Sequence, residues 1–316
     1  MASAPLAWEI KPENLKNTKT LLGDGRCSRV YLAKLTQENG GVIDVAAKVL
    51  NNGHVNSKEL TTLHKLSIHP HRNIIKFHGA VRSTGDNTTT IVTELARNES
   101  LYDYLQKMKE ANKRLATKRV LTWALDGALA IQHLHDHDIM HRDIKSPNFL
   151  IMDDRSMTMK LCDFGISIPD GSCTQSTDNA RGTLRWKAPE LFENEVSRRS
   201  DIFSFGTVLW EIIMCEIPYP QYKGDAKLMR TILSDEKLSP VPDEYPADLQ
   251  QMIHDCRAFD KEDRPTIESV IQRLTILLQQ HVEEGKYVGV IQKSLSPFRR
   301  RRTHQYDYFL NKKINQ

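Results

Sequence analysis

The residues with the most chemical potential stand close together in HRDIKSPN (141–148) and CDFG (162–165). Asp143, Lys145 and Asn148 are too closely spaced, and too varied in charge, to be a solvated helix face. Asp163 follows Asp143 by twenty residues. An aspartate and an asparagine that converge can hold Mg²⁺, a hard cation that takes oxygen ligands and is usually bridged to phosphate oxygens. A second aspartate is then left to orient a hydroxyl for attack. That division of labour suits phosphoryl transfer, in which a protein mainly positions groups and neutralises charge. Upstream, LLGDGRCSRVY (21–31) begins like a phosphate-cradling glycine loop. Gly23 and Gly25 are in place, but Ser28 stands where the third glycine of G-x-G-x-x-G would be.

Such groups need a scaffold with a cleft. The first third of the chain reads as strands around one helix, with β-rich segments at 19–22, 30–34, 42–50, 74–81 and 89–93 and a helix at 57–66. ENGG (38–41) and STGDN (83–87) supply turns. Beyond Leu95, apolar residues recur at helical spacing over 101–116, 118–135, 201–215, 247–258 and 266–283. Between Asp138 and Pro189 the chain is rich in His, Asp, Asn and Gly and reads as loops with short strands. A strand-rich small lobe, a helical large lobe and polar loops where they meet make an α+β architecture with an interlobe cleft.

Composition sets limits. The 316 residues suffice for two lobes sharing a cleft, and 39% hydrophobic with 27% charged residues is ordinary for a globular protein. The five cysteines, Cys27, Cys162, Cys173, Cys215 and Cys256, form no C-x-x-C pair, which points to a reduced intracellular protein with cysteine as a small packing residue. The N-terminal residues carry no secretory leader pattern, and no apolar run is long enough for a membrane span. The net charge of +4 is concentrated at the end: residues 281–316 hold eight Lys/Arg against three acidic residues. The rest is close to neutral, so nucleic acid is not expected as the main partner.

The ordered set GDGRCSRV, VAAK, HRDIKSPN, DFG and APE resembles the eukaryotic protein kinases across roughly residues 15–280. The resemblance implies a bilobal fold with an N-terminal flank (1–14), a kinase domain (15–281, lobes 15–95 and 96–281) and a basic tail (282–316). It implies ATP and Mg²⁺ as cofactors. Lys48 of VAAK would contact the α- and β-phosphates. Asp143 would orient the substrate hydroxyl, Lys145 would neutralise the transferring phosphate, and Asn148 and Asp163 would bind magnesium. The pattern also demands a helical glutamate to pair with Lys48. Glu59 is the only acidic residue between Val45 and Gly85, with Leu63 and Leu66 at i+4 and i+7. The nucleotide would meet Leu22, Gly23 and Gly25. Val30, Ala46 and Leu150 would sandwich the adenine, backbone groups of Glu94 and Ala96 would meet its edge, and Thr93 would control access to the space behind it. Asp201 either caps a helix or braces the HRD backbone, and Glu190 with Arg264 would form a buried ion pair.

Thr183 in GTLRWKAPE and Lys145 after Asp143 favour serine/threonine acceptors, while WEIKPENL (8–15) and Trp186 resemble elements shared with tyrosine kinases. Together with SLYDYL and IVTEL, this mixture is most similar to the mixed-lineage kinases of the tyrosine-kinase-like group, which act as MAP kinase kinase kinases. A protein substrate of the MAP kinase kinase type is then expected. Arg142 would read a phosphate on the loop holding Ser172, Thr174, Ser176 and Thr177. The expected location is cytoplasmic, with the RRRR run (299–302) a solvated terminus or a nuclear-targeting patch. The alternatives are a dual-specificity or tyrosine kinase and, in another class, a nucleotide-binding pseudokinase scaffold.

Overall fold

The computed structural model describes residues 8–24, 28–50, 57–82, 88–97, 99–153, 155–169, 184–235 and 237–294. Five antiparallel strands, β1 (Leu15–Asp24), β2 (Ser28–Thr36), β3 (Val42–Leu50), β4 (Phe77–Arg82) and β5 (Thr89–Glu94), form one sheet in the order β1-β2-β3-β5-β4. Alternation decides its faces. Val45 and Ala47 of β3 are buried with Ala33, Leu35 and Val92 in a small apolar cluster, which turns Ala46 and Lys48 to the opposite face. The ENGG turn closes the β2–β3 hairpin, with Gly40 at φ +80° and the Gln37 amide donating to the Gly41 carbonyl.

Helix α1 (Ser57–Ile68) packs Leu60, Leu63 and Leu66 into the main core. The segment before β4 departs from the strand expected at 74–81. Ile74 and Ile75 instead bridge to Leu161, and pairing with β5 begins only at Phe77.

The second lobe contains α2 (Leu101–Glu110), α3 (Thr117–Asp136), α4 (Arg198–Met214), α5 (Asp225–Leu233), α6 (Ala247–Cys256) and α7 (Ile267–Ser294). Every residue of α4 from Ser200 to Ile213 is buried, as expected for a helix with apolar residues on all sides. The helix expected at 101–116 ends at Glu110, where Asn112 enters the left-handed region at φ +51°. Helix α5 was not evident from the sequence. Short strands β6 (Ile139–Met140), β7 (Phe149–Ile151), β8 (Met159–Leu161) and β9 (Ile168–Pro169) pair as β6-β9 and β7-β8 and frame the polar loops. The described residues up to Leu278 form one compact unit, and those from Gln279 to Ser294 belong to a second. Among the described residues, no helix is long and apolar enough to cross a membrane.

Candidate active site

The loop between β6 and β7 is held from below by one buried carboxylate. Asp201 accepts hydrogen bonds from the backbone amides of His141 (3.0 Å) and Arg142 (2.8 Å) and from His135 Nε2 (3.0 Å). Burial pushes the Asp201 carboxyl up, but the His135 hydrogen bond and nearby positive character outweigh it, and the pKa falls below the ordinary value. The helix cap itself is Ser197, which forms a capping box with Ser200, so Asp201 is a brace and not a cap. Arg142 is held at φ +68°, a region non-glycine residues rarely occupy.

Above the brace, Lys145 Nζ lies 2.7 Å from Asp143 Oδ2. The Asn148 side-chain amide donates to the Asp143 carbonyl (2.8 Å) and to Oδ2 (3.1 Å). Asp143 Oδ1 is buried and has no hydrogen-bond partner among the described residues. A buried, unpaired acceptor is costly unless a ligand satisfies it, which makes this oxygen the natural receiver of a substrate hydroxyl.

The second cluster draws on three elements. Lys48 on β3 lies 2.8 Å from Glu59 Oε1 on α1 and 2.9 Å from Asp163 Oδ1, which follows β8. Glu59 reaches it because the buried seam of Leu60, Leu63 and Leu66 sets the rotation of α1. Burial works against the Lys48 charge, but Asp163 and Glu59 together hold its pKa well above the ordinary value. Burial likewise opposes the Asp163 charge; Lys48 reverses that and keeps the carboxyl below its usual range. Asp163 sits at φ +62°, and Phe164 behind it is buried edge-on against His141 at 5.3 Å between centroids. His141 also engages the Cys162 carbonyl through Nε2 (3.1 Å), so it is a packed, hydrogen-bonded core histidine.

The expected nucleotide wall lies along the sheet. Val30 is in register with Lys48, and Ala46 with Thr93, while Leu150 packs at the edge of the main core. The amide of Glu94 donates to the Lys76 carbonyl, which leaves only its own carbonyl for a ligand edge. A Cβ built on Gly23 would meet no atom of the described residues within 4 Å, so a bare backbone there keeps open a space that a side chain would fill. Gly25, Cys27, Thr183 and the candidate phosphosites Ser172, Thr174, Ser176 and Thr177 lie outside the described residues. Burial pushes the Cys162 thiol far up, which disfavours the nucleophilic thiolate. Glu190 and Arg264 form the expected buried pair, bidentate at 2.7 and 2.8 Å.

Sequence reading did not assign two carboxylates. Glu94 accepts from Lys160 (2.6 Å) and from the Lys76 amide (2.7 Å), tying β5 to β8. Glu211, inside the apolar run of α4, contacts Ser146 and Trp186. An acidic residue within a buried helix is the signal that would have flagged it.

The donor set suits magnesium bridged to phosphate. Among the described residues, no group of three His, Cys, Asp or Glu side chains can hold a metal alone. Asp163 offers a carboxylate, and Asn148, its amide nitrogen engaged by Asp143, has its amide oxygen left for a cation. One or two protein oxygens completed by phosphate is the usual Mg²⁺ arrangement.

Comparison with known proteins agrees with this geometry. A family described as protein tyrosine and serine/threonine kinase matches residues 16–274. The chain is 31% identical to the dual specificity protein kinase shkA of Dictyostelium discoideum, covering 88% of this chain and 52% of that protein. It is 32% identical to the mitogen-activated protein kinase kinase kinase zak-1 of Caenorhabditis elegans, with 85% and 36% covered. It is also 32% identical to the serine/threonine-protein kinase CTR1 of Arabidopsis thaliana, with 84% and 32% covered. The chain thus spans from about a third to about half of the length of these relatives. With the HRD, DFG and lysine–glutamate geometry in place and the match extending through both lobes, the chain belongs to the protein tyrosine and serine/threonine kinase family.

Proposed function

We propose that the chain is an ATP- and Mg²⁺-dependent serine/threonine protein kinase acting as a MAP kinase kinase kinase. The observation that carries the reading is the simultaneous pairing of Lys48 with Glu59 and Asp163, an arrangement suited to hold a triphosphate for transfer. Lys48 orients the α- and β-phosphates. Asp143 Oδ1 accepts the hydroxyl proton of the protein substrate as its oxygen bonds to the γ-phosphorus and the bond to ADP breaks. Lys145, beside Asp143, stabilises charge on the transferring group. Asn148 and Asp163 hold Mg²⁺, which when bound neutralises the phosphate oxygens. Leu22, Val30, Ala46, Thr93, Glu94, Ala96 and Leu150 bind the adenosine end.

Similarity to proteins named as MAP kinase kinase kinases supports a MAP kinase kinase as the acceptor. Similarity to proteins named as dual specificity kinases favours a second reading, in which tyrosine is also phosphorylated. The test is purified protein with Mg²⁺, labelled ATP and a MAP kinase kinase, beside the Asp163→Asn variant, followed by phosphoamino-acid analysis. Phosphoserine or phosphothreonine above the variant is expected. Added phosphotyrosine selects the second reading. No transfer while nucleotide still binds makes the chain a pseudokinase scaffold.

A further inference from the structure

Glu211 is 1% exposed, and its two carboxylate oxygens are divided between two functional loops. Oε1 accepts from Ser146 Oγ at 2.8 Å, and Oε2 accepts from the Trp186 indole Nε1 at 2.5 Å. Ser146 directly follows Lys145 and opens the 3-10 turn Ser146–Asn148, which carries the proposed metal ligand Asn148. Trp186 closes the 3-10 turn Leu184–Trp186 of the GTLRW segment, on the side where the acceptor is expected. The same helix grips that turn a second time, through Ser204 Oγ donating to the Trp186 carbonyl (2.7 Å). Helix α4 therefore fixes the spacing between the loop that carries Asp143 and the segment beside the acceptor. Asp201 on the same helix supports only the first of these.

On the reading that the chain is a kinase, we infer that Glu211 is a positioning residue for the protein acceptor, clamping the catalytic loop to the acceptor segment without touching either substrate.

The chemistry of the clamp is specific. Only burial and hydrogen bonds from Trp186 and Ser146 bear on its ionisation, and burial dominates, so its pKa is pushed up to about 8. The cations next to its two donors in sequence are engaged elsewhere. Lys145 pairs with Asp143, Arg185 donates to the carbonyls of Pro218, Tyr219 and Tyr222, and Lys187 lies over the Phe192 ring at 4.6 Å. An indole N–H can only donate, whereas a serine hydroxyl can donate or accept. Protonated Glu211 therefore keeps Oε2 as acceptor for Trp186 and carries its proton on Oε1, donating to Ser146 Oγ. Losing that proton reverses the Ser146 bond and strengthens the Trp186 bond without reversing it, because the acceptor becomes charged. Glutamine reproduces the protonated form toward Trp186 and the Ser146 hydroxyl, with its amide oxygen toward the indole and its amide nitrogen donating to Oγ, but it offers no acceptor to the Ser146 backbone amide, which the carboxylate also accepts. Alanine reproduces neither.

The test compares wild type, Glu211→Ala, Glu211→Gln and Ser146→Ala in steady-state phosphorylation of a protein acceptor, with acceptor and ATP varied separately. Because a small misplacement of reacting groups is expensive, Glu211→Ala should lower kcat/KM for the acceptor by about tenfold or more. The KM for ATP should stay within about twofold. Glu211→Gln should recover part of that loss, and its acceptor kcat/KM should lack an inflection near pH 8 that is expected of wild type. In ¹⁵N-labelled protein the Trp186 indole signal, assigned by its absence from Trp186→Phe, should move through the same pH range in wild type and stay fixed in Glu211→Gln. If Glu211→Ala raises the ATP KM as much as the acceptor KM, or glutamine fails to rescue a folded protein, the positioning role is wrong while the kinase reading stands. If wild type transfers no more than Asp163→Asn, the kinase reading falls and this role falls with it.

Discussion

Asp201 shows how much one carboxylate can hold. Its three hydrogen bonds keep the HRD backbone in a conformation that includes an arginine at φ +68°. Replacing Asp201 by alanine would leave two backbone amides and an imidazole nitrogen without their acceptor inside the core, and each such loss costs about 1–3 kcal/mol. Asp201→Ala is expected to destabilise the protein by about 3 kcal/mol or more, read as a lower urea midpoint at unchanged m. The direction of its pH dependence follows from the lowered pKa. Above the ordinary aspartate pKa the stabilisation is fully present, and it is lost as pH falls through the lower folded value. As pH falls below about 4, wild type should therefore lose stability more steeply than Asp201→Asn. A parallel loss in the two proteins would show that the carboxylate charge is not what holds the loop. At this scale the motif residues were legible because their roles depend on spacing along one short segment, as with Asp143, Lys145 and Asn148. The loads on Glu94 and Glu211 were not, because their partners lie 66 and 65 residues away.

Elements carry constraints that no single side chain reveals. Trp8 and Ile10 lie along β4, with the Ile10 amide donating to the Ala80 carbonyl (2.9 Å), the Ala80 amide to the Trp8 carbonyl (3.0 Å), and Arg82 over the Trp8 ring at 5.0 Å. Gly79 makes this contact possible. It sits at φ +143°, and a Cβ there would fall 2.4 Å from the Trp8 carbonyl oxygen. The obstacle is backbone, so a side chain cannot be absorbed by a rotamer change. Gly79→Ala is expected to detach the Trp8–Ile10 strap and cost about 1–3 kcal/mol, seen as a lower Tm together with a red-shifted and more quenchable Trp8 emission. Unchanged Trp8 emission would mean the strap tolerates the methyl. The long elements were legible for the usual reason: α3 and α4 repeat their apolar pattern over many turns, and β3 and β5 are dense in β-branched residues. Helix α5 was missed because it has only nine residues, with Leu228 and Ile232 inward but Met229 and Leu233 exposed, which blurs the period. The strand expected from Ile74 began late because Ile74 and Ile75 pair with Leu161 across the lobes, and a local apolar run cannot show which partner it will take.

For the whole molecule, the proposed nucleotide site also reports on assembly of the lobes. Lys48, Glu59 and Asp163 come from a strand, a helix and the segment after β8, and they meet only when the native packing is complete. A ligand held by this cluster binds the native state and not the unfolded chain, so it must raise stability by mass action. At a nucleotide concentration 100 times its Kd the gain is about 2.7 kcal/mol, a rise in Tm on the order of 5 °C for a domain of this size. On the proposed reading the metal enters through Asp163 and Asn148, whereas the Asp143 oxygen that has no partner among the described residues is directed to chemistry rather than to binding. Two variants separate these functions. Asp143→Asn is expected to keep the Mg²⁺-dependent part of the nucleotide shift while losing transfer. Asp163→Asn should lose both, showing the same small shift with Mg²⁺ as with EDTA. Calorimetric scans of the two variants with ATP, with and without Mg²⁺, measure this directly. If Asp143→Asn abolished the metal-dependent shift and Asp163→Asn retained it, the two carboxylates would have to exchange roles.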